Sequence, residues 1–237
     1  MPYHSDRMLI ACAALALALF AVTPAWAAKE EYNPQIDPAD FVSIVDHPYF
    51  PLTPRTVFVY EAETDEGPLR EEVEVTFETR AILGVTTIVV RHTEALGGAL
   101  QEVTDDWYAQ DREGNVWYFG EYVTEYEDGM PAGHAGSWEA GIDGALPGII
   151  MPADPQPGQS YRQEFREGVA EDMGRTLRTL ASVEVPYGSF TDVLVTKEWN
   201  PLEPGNIEHK YYARGVGLVL IEELKGKTVR VELVEVR

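Results

Sequence analysis

The chain has 237 residues, with 40 acidic and 18 basic side chains and a formal charge of −22 at pH 7. Forty-five per cent of positions are apolar, enough to fill a hydrophobic core, so wholesale disorder is excluded. The acid excess repels phosphate backbones and excludes nucleic acid as a partner. Cations, basic partners and neutral ligands stay open.

Met1 to Ala27 (residues 1–27) reads as a cleaved signal peptide. Arg7 supplies a positive n-region, Met8 to Val22 an apolar run, and Ala25-Trp26-Ala27 the small residues that a signal peptidase reads. The run falls short of the roughly 20 residues of a membrane span. The expectation is an exported protein, periplasmic or extracellular, with no stable membrane span after signal removal. Leu9-Ile10-Ala11-Cys12 matches a lipoprotein box, but the apolar stretch follows Cys12 instead of preceding it, which argues against lipidation. Cys12 is the one cysteine of the chain. A mature chain starting at Ala28 therefore has no disulfide, no thiolate metal site and no cysteine nucleophile.

Residues 28–53 form an N-terminal segment. Within it, Asp37-Pro38-Ala39-Asp40 pairs an N-cap with proline at the first helical position, and predicts a short helix ending at His47-Pro48. A second short helix is expected around Val169 to Leu177. From residue 54 to 237 the pattern is that of a single, mainly β domain. Val73, Val75 and Phe77 alternate with Glu74 and Thr76, as Val229, Val231 and Leu233 do with Arg230 and Glu232. Turn chemistry at Asp65-Glu66-Gly67, Gly97-Gly98, Asp111 to Asn115, Asp128-Gly129, Pro204-Gly205-Asn206 and Lys225-Gly226-Lys227 separates the runs and predicts antiparallel hairpins.

The chain also resembles itself. At an offset of 104, Gly84, Thr87, Val89, Glu94, Tyr108 and Ala109 meet Gly188, Thr191, Val193, Glu198, Tyr212 and Ala213. This predicts two tandem repeats, 54–120 and 158–223, sharing one core as an antiparallel meander closed into a barrel or a strongly curved sheet. A C-terminal strand, 224–237, follows. Between the repeats, residues 121–157 read as a linker and lid across the mouth. Six glycines and five prolines crowd its stretch from Pro131 to Gly158, without strand periodicity.

Catalytic signatures are sparse: the chain has no Gly-x-Ser-x-Gly and no His-Glu-x-x-His. Asp111, Glu113 and Asn115 put oxygen atoms at alternate positions around Gly114, as calcium loops do, though the loop is too short for an EF-hand and also reads as a hairpin turn. Glu94 and Glu198, equivalent acids of the two repeats, are the candidates for paired-carboxylate glycoside chemistry. Aromatic residues concentrate near the repeat junction and lid. Trp107, Tyr108, Trp117, Trp138, Tyr161, Trp199, Tyr211 and Tyr212 are the candidate ligand-binding residues, since concave sites are often walled by aromatics; filling a large β core is their other reading.

Three segments carry a family resemblance: Pro48-Tyr49-Phe50-Pro51-Leu52-Thr53-Pro54, Asp106-Trp107-Tyr108-Ala109-Gln110-Asp111 and Tyr211-Tyr212-Ala213-Arg214-Gly215-Val216-Gly217-Leu218-Val219. With Pro147 to Pro152, they resemble a group of uncharacterised secreted bacterial β proteins across most of the mature chain. The resemblance implies a curved antiparallel sheet, similar to the unclosed barrels of periplasmic lipoprotein carriers, and implies no activity.

Taken together, the sequence points to a non-enzymatic binding protein, exported and without a cofactor, that holds a small-molecule, lipid-like or glycan ligand in an aromatic cavity or groove. Two other readings stay open: an acidic surface protein that binds calcium, and a carbohydrate-active enzyme using Glu94 and Glu198.

Overall fold

The computed structural model describes residues 32–179, 182–224 and 228–237. The expected signal peptide and the expected Lys225-Gly226-Lys227 turn lie outside the described residues. Asn33–Arg237 forms one unit by its contacts. Its frame is a sheet of thirteen successive antiparallel strands: β1 (Val57–Thr64), β2 (Gly67–Ile82), β3 (Val85–Leu96), β4 (Ala99–Asp111), β5 (Val116–Glu127), β6 (Leu146–Met151), β7 (Ser160–Arg162), β8 (Glu164–Phe165), β9 (Met173–Arg178), β10 (Leu194–Trp199), β11 (Ile207–Ala213), β12 (Gly217–Glu223) and β13 (Val229–Val236). The spatial order is β7-β9-β10-β11-β12-β13-β1-β2-β3-β4-β5-β6-β8.

That order contains its own closure. β7 and β8 stand at opposite ends of the path, yet only Gln163 separates them in the chain. Ser160–Arg162 bonds to β9, while Glu164–Phe165 bonds to β6. One short segment therefore joins both edges, and the sheet becomes a nearly closed barrel. Closing a sheet satisfies edge N–H and C=O groups that would otherwise face solvent or another chain. The seam is tight: a Cβ on Gly148 would overlap the backbone carbonyl of Gln163, and one on Gly174 would overlap the Tyr161 ring.

Turn residues set the hairpins. Leu83-Gly84, Gly97-Gly98 and Asp128-Gly129 each hold two consecutive residues at positive φ, the geometry whose twist matches two-residue β-hairpins. The alternation places Val73 and Val75 in the core, and likewise Val229, Val231 and Leu233. A register shift between Val75 and Thr79 then ends the pattern: Thr76 is buried and Phe77 is 70% exposed.

The chain departs from several expectations. The first helix is a single 3-10 turn, Pro38–Asp40, capped as predicted by Asp37, whose Oδ1 accepts from Ala39 N at 2.9 Å. Phe41–Val42 then bonds to the edge of β4, because the apolar Phe41 finds Trp117 and Phe119 there rather than a helical face. The expected helix at Val169 to Leu177 is strand β9 over most of its length, with Gly174 paired to Tyr161 across the seam. Residues 121–157 are not a lid. Met130–Gly133, Trp138–Glu139 and β6 all pair with β5, so this stretch builds the wall. Its glycines allow close approach: a side chain at Gly148 would overlap the Gln163 carbonyl, as one at Gly120 on the facing strand β5 would overlap the Trp138 carbonyl.

The tandem repeat is not confirmed. Tyr108 pairs with Ile88, 20 residues before it, whereas Tyr212 pairs with Leu194, 18 residues before it. An ungapped offset of 104 therefore does not carry the pairing of one hairpin onto the other. Residues 182–191 also leave the barrel path as a separate hairpin, anchored to β13 by Tyr187 N donating to the Leu233 carbonyl.

One end of the barrel is plugged from within the N-terminal segment. Asp46–His47 and Phe50–Pro51 form a small hairpin, tied down by Gly215 N donating to the Pro48 carbonyl at 2.7 Å. Arg214 lies over the Tyr49 ring and donates to its hydroxyl. Phe50 and Leu52 thereby reach the core.

Gly148→Ala is expected to lower stability by about 1–3 kcal/mol, because the obstructing atoms are backbone and cannot rotate away. Gly129→Ala, with open space around the added methyl, should cost only about 1 kcal/mol through its positive φ. Denaturant melts of both variants make the comparison, and equal losses would contradict a sterically closed seam.

Candidate functional site

Between the plug and the middle of the barrel lies a cavity of about 210 Å³. Protein interiors hold few voids larger than a water molecule, so a space of this size is a feature to explain. Its apolar side is made by Phe50, Leu52, Phe58, Val90, Ile150 and Leu218, with Tyr108 and Tyr212. Phe50 meets Tyr108 edge-on at 5.3 Å between ring centres and Tyr212 at 6.5 Å. Tyr118 stacks behind Tyr108 at 4.8 Å, and Trp138 stands edge-on to Tyr118 at 5.3 Å.

The other side is charged. Glu71, His92, Asp106 and Lys210 also line the cavity. His92 Nε2 lies 3.3 Å from Glu71 Oε2. Lys210 Nζ sits 2.9 Å from Glu198 Oε2 and 3.3 Å from Glu208. Glu198 Oε1 accepts from Thr196 Oγ1 at 2.9 Å and from the Tyr212 hydroxyl at 3.2 Å. The Tyr118 hydroxyl donates to Asp106 Oδ1 at 2.5 Å and is 3.1 Å from Glu121 Oε2. Beyond this layer, Glu94 pairs across strands with Glu71 and Glu102, and Glu208 with Glu223.

Burial in low dielectric disfavours charge on a carboxyl, and crowding by like charges adds to the effect. Both act here. Glu121 is pushed up to about 9, first by burial and then by the charges of Asp106 and Glu164. Glu164 is raised to about 8 by burial and Asp172, although Trp138 Nε1 donates to it at 3.0 Å. Asp106 and Asp172 are each raised to about 6, mainly by burial. Glu94 and Glu223 are also raised, mainly by burial and then by neighbouring acids. Glu198 differs: burial opposes its charge, but Lys210 and its hydrogen bonds hold the carboxyl below its ordinary value. In His92, burial is outweighed by Glu71, Asp106 and Glu94, and the imidazole is held toward its protonated form.

Of the eight aromatic candidates, Tyr108 and Tyr212 line the cavity. Trp138 supports it through Tyr118. Tyr161 is buried at the seam, where Glu198 and Lys210 influence its hydroxyl. The other four are elsewhere. Trp107 is buried beneath the Arg80 guanidinium, 4.3 Å from its ring, and Trp117 donates to Asp111 Oδ2. Trp199 lies near Lys197 Nζ, and the Tyr211 hydroxyl donates to Glu222, which also pairs with Arg230.

The loop oxygens that resemble a calcium site are already engaged. Asp111 accepts from Asn115 N through Oδ1 and from Asn115 Nδ2 through Oδ2, while Asn115 Oδ1 accepts from Ala153 N. Glu113 is exposed beside them. Among the described residues, no group of three or more His, Cys, Asp or Glu is arranged to hold a metal ion. Glu94 and Glu198 both belong to the interior, but Glu198 is bound up with Lys210 and Glu94 is surrounded by acids. Sequence reasoning missed Phe50, Glu71, His92, Asp106 and Lys210. For the last four the signal was a charged residue at an inward position of a strand, visible only with the register known, and for Phe50 the long-range contacts of the plug.

No family model and no curated protein matches the chain. Among solved structures, a putative lipoprotein from Parabacteroides distasonis is similar at 13% identity, over 80% of this chain and 98% of that one, with a TM-score of 0.43. A likeness at that level carries no functional argument. No helix among the described residues is long and apolar enough to cross a membrane.

The raised carboxyls have a pH consequence. Folded Glu164 and Glu121 keep protons up to about pH 8 and 9 that the ordinary carboxyl sheds near 4.5. The folded state then binds more protons than the unfolded chain, so stability falls as pH rises through that window. The melting temperature should drop between pH 7 and 9, and Glu121→Gln should flatten the slope. A melting temperature that is constant or rising over that range in the unmodified protein would contradict the electrostatics.

Proposed function

We propose that this is an exported, non-enzymatic binding protein that carries a small ligand inside its barrel. The observation that supports this best is the cavity of about 210 Å³, mostly apolar, with Glu71, His92, Asp106 and Lys210 on its polar side. A concave, largely preformed space with an aromatic wall and a few polar groups is the usual form of a small-molecule site. Phe50, Tyr108 and Tyr212 give the apolar body of a ligand flat surfaces, while Glu71, Asp106 and Lys210 orient its polar part. A cavity of roughly 150 Å³ is enough for benzene, so the space suits a compact ligand rather than a long acyl chain. Export is carried by the N-terminal pattern of Arg7, the apolar run and Ala25-Trp26-Ala27. After signal removal the protein is placed in the periplasm or outside the cell.

The reading predicts a copurifying ligand, detected by native mass spectrometry of the gently isolated protein and identified after extraction. Val90→Phe, which projects a ring into the cavity, should abolish ligand retention. Trp117→Phe, on a residue that does not line it, should keep retention intact. Ligand retained equally by Val90→Phe would place any bound molecule outside the barrel.

A further inference from the structure

The charges in the barrel are not balanced, and the imbalance has a direction. The cations lining the cavity each have an acid beside them: Lys210 is paired with Glu198 and Glu208, and His92 Nε2 lies 3.3 Å from Glu71 Oε2 without a hydrogen bond to it. An incoming carboxylate or phosphate would have to compete with those partners in a surrounding of further acids. Asp106 has no ion-pair partner among the described residues, although it lines the cavity and is fixed in place by the Tyr118 hydroxyl. Glu94 farther along likewise has none, while Glu121 beside Asp106, pushed up to about 9, stays protonated near pH 7.

A second observation comes from hydroxyl groups at the seam. Tyr161 is 8% exposed and Thr176 fully buried, and neither Tyr161 Oη nor Thr176 Oγ1 has a hydrogen-bond partner among the described residues. Buried polar atoms without partners are rare in native proteins, and each calls for a water, an ion or a ligand. Thr176 is the cross-strand neighbour of Thr196, which bonds Glu198, and the Tyr161 hydroxyl feels both Glu198 and Lys210. Each hydroxyl can accept as well as donate, and both sit by the Glu198–Lys210 pair, next to the cavity lining rather than in it.

Resting on the reading of the cavity as a ligand site, we infer that its ligand is an organic cation: a protonated amine on a compact apolar body, with the ammonium at Asp106 and the body against Phe50, Tyr108 and Tyr212. An ammonium supplies several donors and one positive charge, which Asp106, held only by the Tyr118 hydroxyl, can accept. Burial strengthens the attraction, because a charge-assisted hydrogen bond counts for more in low dielectric than in water. A neutral isostere gains only the apolar contacts. An anion meets the surplus negative field.

Calorimetric titration with three probes sharing one ring, 2-phenylethylamine, 2-phenylethanol and 3-phenylpropionate, tests the inference on the full mature protein. The amine should bind tightest, about tenfold or more above the alcohol, as a charge-assisted bond implies, with the carboxylate weakest. Asp106→Asn keeps an acceptor for the Tyr118 hydroxyl. It should remove most of the preference for the amine, lowering the amine's affinity far more than the alcohol's. Equal binding of amine and alcohol, or tightest binding of the carboxylate, would overturn the charge preference and leave the cavity reading standing. If none of the three bound at millimolar concentration, both would fall. A preference for the amine that survived Asp106→Asn would remove Asp106 from the recognition.

Discussion

The interior of this protein exists because one six-residue stretch bonds in two directions. Ser160–Arg162 completes the sheet against β9, and Glu164–Phe165 completes it against β6. Without that seam the inner face would be an open, wetted sheet, and its carboxyls would behave as surface groups. With it, Asp106, Glu121, Glu164 and Asp172 are drawn out of water together, and all four are raised. Gly148 and Gly174 permit the closure, since backbone and an aromatic ring occupy the places where their side chains would stand.

Much of the frame was legible in the sequence. Alternation located β13 and the first part of β2, and the paired turn residues at Gly97-Gly98 and Asp128-Gly129 marked hairpins that form where expected. Alternation failed where a bulge intervened. Phe77 continues the apolar pattern of Val73 and Val75 but faces solvent, because the register shift after Val75 reverses the strand's faces. Glycine and proline between 131 and 158 suggested a loop. There, glycine permits close backbone approach within a paired wall, a function that composition alone does not separate from flexibility.

The site was legible only in part. Tyr108 and Tyr212 stood among the concentrated aromatics, and both reach the cavity. Phe50 was hidden because its position depends on the plug, a long-range contact with Arg214 and Gly215 that no local pattern encodes. The acids were hidden for a different reason. In a chain with 40 of them, Glu71 and Asp106 look like any other wet-face residue until the strand register turns them inward. Outward-facing acids such as Glu61 and Glu72 instead meet Arg70 and Arg237 in exposed ion pairs, which are individually worth little.

Fold and proposed function meet in the desolvation of the inward acids, and Glu121 reports on it most directly. Its side-chain carboxyl can be followed by carbon-13 NMR through a pH titration of the folded protein. A midpoint near 9 is expected for a carboxyl buried beside Asp106 and Glu164. A midpoint close to the ordinary 4.5 would mean that water enters the barrel freely, contradicting both the closed seam and the selective cavity.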